Sequence, residues 1–265
     1  MLSLLAQLTP GGDSPGGDAR RAAEAIRARP EAEIAVFPEC FLGGYRLKNP
    51  EAVACALEGE ELATVAAACA EARTAAIVGF IERGPLGFHD SVACIDADGS
   101  LVVAYRKVQL FGEERGVFRA GGWLEVVELA GRRVAPLICF DLEFPELARA
   151  AAMAGADLLV TCAANMEPYG REHRLHAKAR ALENRIPHLY VNRVGREEGS
   201  RFVGESCAID ADGVVFRSAG DDEEVLLAEV GRAGAADARV DYLSFEPTRM
   251  PVEVRSRNHA KGGAR

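Results

Sequence analysis

No apolar run in this 265-residue chain approaches the ~18 residues that a membrane-spanning helix requires. The opening MLSLLAQLTP lacks both the basic start and the length of a secretory leader. The expected location is therefore the cytoplasm, with no membrane partner. A basic excess is missing as well: 31 Lys and Arg stand against 40 Asp and Glu, for a net charge of −9. Nucleic acids and anionic membranes are bound by basic surfaces, so neither is an expected partner. The seven cysteines are odd in number and show no C-x-x-C spacing, which indicates neither a disulfide framework nor a zinc site. Two further patterns fall short of a motif. GGDSPGG (11–17) is rich in glycine but lacks the order G-x-G-x-x-G, and its Asp13 would repel a phosphate, so it reads as a turn-rich loop. His173 and His176 form H-x-x-H on a predicted helix without a third metal ligand, which reads as a solvated face.

What is present is an ordinary globular composition, 49% hydrophobic and 27% charged, in a chain long enough for one large α/β domain. Short β-rich runs alternate with helical stretches. Strands are predicted at 2–8, 33–39, 75–82, 157–163 and 187–195, and helices at 18–30, 59–74 and 171–185, with Asp18 as an N-cap. SVACIDA and LVVAYRKVQ meet across Asp98-Gly99, a hairpin signal, and 124–139 reads as a second hairpin leading into the helix PELARAAAMAGA. The pentapeptide Ile-Asp-Ala-Asp-Gly occurs at 95–99 and again at 209–213, each time at a predicted hairpin turn. Such self-similarity suggests two related halves and mixed sheets covered by helices. Residues 1–245 are expected to form the domain. Residues 246–265 are expected to form a C-terminal arm available for oligomer contact, disordered at its end.

LICFDLEFPE (137–146) raises the chemical question. Cys139 ends an apolar run and is followed at once by Asp141, Glu143 and Glu146. The strand–turn–helix position suits a nucleophile over a sheet edge, where helix amides stabilise anions. The same thiol could equally be packed and inert. A reactive thiolate there needs a cation from elsewhere. Arg106-Lys107 at the end of one predicted strand offers it, because the following VQLF turns back toward a core. Glu39, just after Pro38, ends another, and open α/β sheets place catalytic groups at such strand ends. Base, cation and nucleophile are the parts of covalent acyl transfer.

FPE (37–39), YRKVQLFGEE (105–114) and ICFDLEFPE (138–146) together resemble the three signature segments of the nitrilase superfamily of carbon–nitrogen hydrolases. The spacing, 68 residues from Glu39 to Lys107 and 32 from Lys107 to Cys139, agrees with it. The resemblance implies a four-layer α-β-β-α sandwich with pseudo-symmetric halves. It also implies a Glu-Lys-Cys triad: Glu39 as general base, Lys107 stabilising the tetrahedral intermediate, Cys139 as nucleophile. Glu114 matches the second glutamate, which positions substrate and lysine. The backbone N–H of Phe140 would share the oxyanion, and neither metal nor cofactor is needed. Tyr45, Asn165 and Met166 match wall positions of the substrate pocket. Cys40 and the remaining five cysteines (55, 69, 94, 162 and 207) read as packing.

TCAANMEPYG and ARALENRIPHLYVNRVG look most like the small bacterial amidases, including stereoselective and 5-aminopentanamidase-like enzymes. A small primary amide is then the expected partner, turned over by a homodimer or larger homo-oligomer. A nitrilase or N-carbamoyl amine hydrolase would use the same triad, and a non-enzymatic protein could keep the fold. The omega-amidase branch has arginine four residues after the cysteine, where this chain has Glu143. That residue either faces the pocket mouth, where it would favour an amine-bearing amide, or caps the following helix.

Overall fold

The computed structural model describes residues 1–11, 14–232 and 242. In chain order the first half consists of β1 (Leu2–Gln7), α1 (Pro15–Arg27), β2 (Ile34–Val36), α2 (Glu60–Ala72), β3 (Ala75–Gly84), β4 (Gly87–Ile95) and β5 (Leu101–Arg106). A one-turn helix, α3 (Glu114–Val117), leads to the second half. There follow β6 (Val127–Leu129), β7 (Arg132–Ile138), a 3-10 turn (Cys139–Glu143), α4 (Pro145–Met153), β8 (Leu158–Ala163), α5 (Gly170–Asn184) and β9 (His188–Asn192). A small hairpin, β10 (Val194–Glu197) with β11 (Ser200–Val203), precedes β12 (Cys207–Ile209), β13 (Val215–Ser218) and β14 (Glu224–Glu229).

Two six-stranded sheets result, ordered β14-β1-β2-β3-β4-β5 and β13-β12-β9-β8-β7-β6. Strand alternation explains how they stack. Leu4 and Ala35 point to a core shared with α1 and α2, whereas Leu5, Ile34 and Val36 point the other way, against Val134, Ile138, Val160 and Val191 of the second sheet. The outer face of that second sheet packs on α4 and α5 through Ala135, Ala148, Ala151, Ala177 and Ala181. The layers are therefore α-β-β-α, as expected. The halves also correspond strand for strand: β1-β2-β3 and β7-β8-β9 are parallel, and each continues into an antiparallel pair, β4-β5 or β12-β13. Both copies of Ile-Asp-Ala-Asp-Gly turn those last hairpins. Each closes with a Gly N–H donating to the first Asp carbonyl, and each glycine has positive φ (Gly99 +86°, Gly213 +75°).

Two local expectations are corrected. The first helix starts at Pro15 and is capped by Ser14, whose hydroxyl accepts from Gly17 N at 3.1 Å; a Ser-Pro pair at N-cap and N1 is a strong helix start. Asp18 lies inside the helix, buried, and its carboxylate accepts from Gly11 N (2.5 Å) and Gly43 N (3.0 Å). Where GGDSPGG is described, a carboxylate thus takes the place an anion would need; Asp13 lies outside the described residues. So does the expected arm at 246–265. No helix among the described residues is long and apolar enough to cross a membrane.

The bend after β2 prepares the site. Phe37 N and Leu42 N bond to the carbonyls of Ile77 and Gly79 on β3, and residues 38–41 bulge out between them. Pro38 has no N–H to give, and Cys40 adopts φ +48°, so the ladder cannot continue there. Gly79 makes the bulge possible: a Cβ on it would stand 2.2 Å from the Pro38 carbonyl oxygen and 2.7 Å from Glu39 Cα. Gly79→Ala should accordingly displace Glu39 and cost about 1–3 kcal/mol, the usual range for overpacking. Thermal melting should show a drop of several degrees, and an unchanged Tm would mean that the bulge yields freely.

Candidate active site

Three strand ends deliver the central side chains. Glu39 comes from the bulge after β2, Lys107 from the residue after β5, and Cys139 from the residue after β7, while Glu114 opens α3. Lys107 is completely buried, and its Nζ lies 2.5 Å from Glu39 Oε1, 2.8 Å from Glu114 Oε1 and 3.1 Å from Asp90 Oδ2. Glu39 Oε2 accepts from Ala164 N at 2.6 Å, and the Cys139 thiol hydrogen-bonds to the same carboxylate. Glu114 accepts the Tyr45 hydroxyl at 2.5 Å and Phe111 N at 2.8 Å.

Cys139 sits at φ +42°, a strained conformation for a residue with a Cβ, and begins the 3-10 turn. Asp141 holds the turn in place. Its carboxylate accepts from Ile138 N (3.1 Å), Gln109 N (2.8 Å), Val108 N (3.2 Å) and the Tyr105 hydroxyl (2.8 Å). The nucleophile turn is thereby tied to the segment that follows Lys107. From the other side, Arg180 on α5 donates to the carbonyls of Leu142 and Glu143.

Burial governs the titration of these groups. It would push the Glu39 carboxyl up, but the Lys107 ammonium, by its charge and its hydrogen bond, holds it below the ordinary carboxylate range. Its ionised form therefore adds stability at neutral pH that is lost as acidification passes through its lowered pKa. Lys107 loses by desolvation, yet the carboxylates of Glu114 and Glu39 keep it charged well beyond the usual lysine range. Burial, then Glu39, push the Cys139 thiol well up. The resting group is a thiol with a base beside it, so deprotonation belongs to the attack itself. Glu39, Asp90 and Glu114 could in principle bind a metal, their nearest oxygens lying within 4.8 Å of one another. Lys107 Nζ already occupies the space between them.

A narrow cavity opens on Cys139, about 20 Å³ in volume, walled by Phe111, Phe140, Glu143, Asn165, Met166 and Tyr169 among others. Phe140, Asn165 and Met166 thus stand where a substrate would contact them. Tyr45 does not line it; it stands behind Glu114 as a hydrogen-bond donor. Glu143 faces the cavity, 31% exposed, and the helix after it has no side-chain cap. Burial raises its carboxyl above the ordinary value. His173 corrects the expectation of a solvated face. It is buried beside Tyr190 OH (2.9 Å), lines the cavity, and is held neutral by burial with its pKa lowered to about 3. The burial repeat on α5 (His173, Ala177, Arg180, Ala181, Asn184) carries the signal that could have placed it. A wider groove of about 450 Å³ between α5 and β13 holds none of the triad.

Residues 6–240 match the family model for carbon-nitrogen hydrolases. The chain belongs to that family. This carbon–nitrogen hydrolase is 35% identical over 237 residues to an (R)-stereoselective amidase of Pseudomonas sp., covering 88% of this chain and 85% of that one. It is 37% identical over 235 residues to a Pseudomonas protegens protein named as a hydrolase in the pqqF 5' region, covering 86% and 82%. Among solved structures it resembles the amidase of Nesterenkonia sp. AN1, with a TM-score of 0.81 at 27% identity and 93% coverage of both chains. That structure carries the acetamide moiety of fluoroacetamide on the active-site cysteine, and a double mutant of the same enzyme holds acrylamide.

Cys139 is the only partly exposed member of the seven free cysteines. Brief treatment of the native hydrolase with iodoacetamide should alkylate one thiol, at Cys139, by peptide mass spectrometry. Equal labelling of Cys40 or Cys162 would show that the packing around them opens.

Proposed function

We propose that this hydrolase is an amidase that converts a small primary amide to a carboxylic acid and ammonia through a thioester on Cys139. The observation that carries the reading is the buried ammonium of Lys107 between Glu39 and Glu114, with the Cys139 thiol against Glu39. Glu39 takes the thiol proton as sulfur bonds to the amide carbon. The oxyanion forms against Lys107 Nζ and the N–H of Phe140. Glu39 returns its proton to the leaving nitrogen, the C–N bond breaks, and ammonia departs. Glu39, again a carboxylate, deprotonates a water whose oxygen bonds to the thioester carbon; the C–S bond breaks, the carboxylic acid leaves, and Glu39 returns the proton to the Cys139 sulfur. Asn165 supports this assignment: its side-chain oxygen is buried without a donor on a wall of the cavity, available to a substrate N–H. The narrow aromatic cavity favours small acyl groups.

Cys139→Ala should abolish ammonia release while the circular-dichroism spectrum stays native; a tenth of the wild-type rate would exclude the thioester. Lys107→Met should lose on the order of 10²-fold or more in kcat, as for a deleted oxyanion donor. The same assay run in parallel on a nitrile and an N-carbamoyl amine separates the amidase from its two alternatives.

We extend the reading to substrate charge. Glu143 lines the cavity without a hydrogen-bond donor among the described residues, and its nearest imidazole, His173 at 4.0 Å, is neutral. An amide bearing an ammonium group would supply a directly paired cation, worth roughly 0.2–1 kcal/mol at such a half-exposed site. Glu143→Gln should raise KM for amino-amides by about 1.4- to fivefold, the equivalent of that energy, and leave neutral amides unaffected. Equal losses on both would return Glu143 to a structural role.

The seven free cysteines fit a reducing cytoplasmic location. Exposed Leu175 and Leu182 on α5, with exposed Val215 of β13 lining a groove beside Leu175, support self-association as a dimer or larger assembly. We retain residues 1–245 as one hydrolase domain and 246–265 as an arm.

A further inference from the structure

Asp90, on β4, is the third carboxylate around Lys107 and matches none of the signature segments. The donors around the cluster are unequally shared. Glu39 receives Lys107, Ala164 N and the Cys139 thiol; Glu114 receives Lys107, Tyr45 OH and Phe111 N. Asp90 receives only the Cys40 thiol, at 3.5 Å on Oδ1. Its Oδ2 is buried without a hydrogen bond, although Lys107 Nζ is 3.1 Å away. The charge count points the same way. Glu39 and Cys40 face Asp90 from the bulge after β2, Lys107 from the end of β5 and Glu114 from α3. Three ionised carboxylates against one ammonium would leave two uncompensated negative charges with no contact to water. One proton removes half of that excess, and the oxygen lacking a donor is where it belongs.

We infer that Asp90 is a positioning residue held as the neutral acid, whose hydroxyl donates to the Glu39 carboxylate and keeps that base ionised beside Cys139. The Glu39 and Asp90 carboxyls share Lys107 Nζ, at 2.5 and 3.1 Å, and bring oxygens within 4.8 Å of each other. Burial, followed by Glu39 and Glu114, raises the Asp90 carboxyl well above the ordinary range against the pull of Lys107. In the reaction Glu39 alternates between carboxylate and acid, and a neutral donor next to it favours the carboxylate without adding a second negative charge.

The inference rests on the amidase reading only where Glu39 acts as base, so the first test needs no turnover. Infrared spectra of the resting full-length protein at pH 8, where Asp141 with its pKa of about 6 is ionised, should show a protonated carboxyl C=O band. Asp90→Asn should abolish it. A wild-type spectrum without that band, or a band that survives in Asp90→Asn, would overturn the inference even if amide hydrolysis is confirmed. The second test is the pH profile of kcat/KM for an amide. Asp90→Leu removes the donor and should lose tenfold or more at neutral pH, with the acid limb moved up by about one unit. Asp90→Asn restores a neutral N–H donor and should recover most of that rate with the acid limb near its wild-type position. If Asp90→Leu fails to fold, the infrared result and Asp90→Asn still decide. An acid limb that moves down in Asp90→Asn would mean that Asp90 had been ionised.

Discussion

An ammonium ion with no access to water organises this molecule. Burying Lys107 costs several kcal/mol in lost hydration, and only close opposite charge offsets it. Glu39 and Glu114 supply that charge from a bulge and a short helix, and Asp90 brings a third carboxyl oxygen to the same nitrogen from a strand interior. Each must arrive within about 3 Å of one nitrogen, so the three elements are locked in relative position by electrostatics as well as by packing. The same cluster leaves the Cys139 thiol without a free cation and with a carboxylate as neighbour. That arrangement suits a thiol deprotonated on demand rather than a standing thiolate.

The duplicated sheet architecture explains why these groups can meet. In each half, parallel strands end at the same edge, and the chain leaves each strand through a bulge or tight turn. β2 leads into the bulge of Glu39; its counterpart β8 leads into Ala164, the next residue, whose N–H is donated to that same carboxylate. The site is thus built where the two halves face each other, and the strain at Cys40 and Cys139 lies beside the reacting groups. Asp141 and Arg180 hold the nucleophile turn from opposite sides, so its left-handed start is over-determined by hydrogen bonds.

The cavity adds a different kind of constraint. Its aromatic walls limit size, while Glu143 presents a half-exposed carboxylate and Asn165 a buried oxygen that the protein itself leaves without a donor. Among the described residues these are the features that would distinguish one amide from another. The charge cluster behind them handles only what all amides share.

Element types, the hairpins and the repeated Ile-Asp-Ala-Asp-Gly turn were legible in the amino-acid sequence, because turn chemistry and strand alternation are local properties. The three segments around Glu39, Lys107 and Cys139 were legible for a similar reason: Pro38, the basic pair and the thiol all stand at strand ends. The sequence could not reveal Asp90, which stands just before the predicted strand SVACIDA between His89 and Ser91, since its importance lies in a lysine 17 positions away reached only through sheet pairing. Nor could it separate the roles of Tyr45 and His173, one placed behind Glu114 and the other buried in the cavity wall. Local sequence therefore determined which groups stand at strand ends and hairpins. Only the stacking of two sheets decided which carboxylates share one ammonium, because that depends on distances across the core that no local pattern encodes.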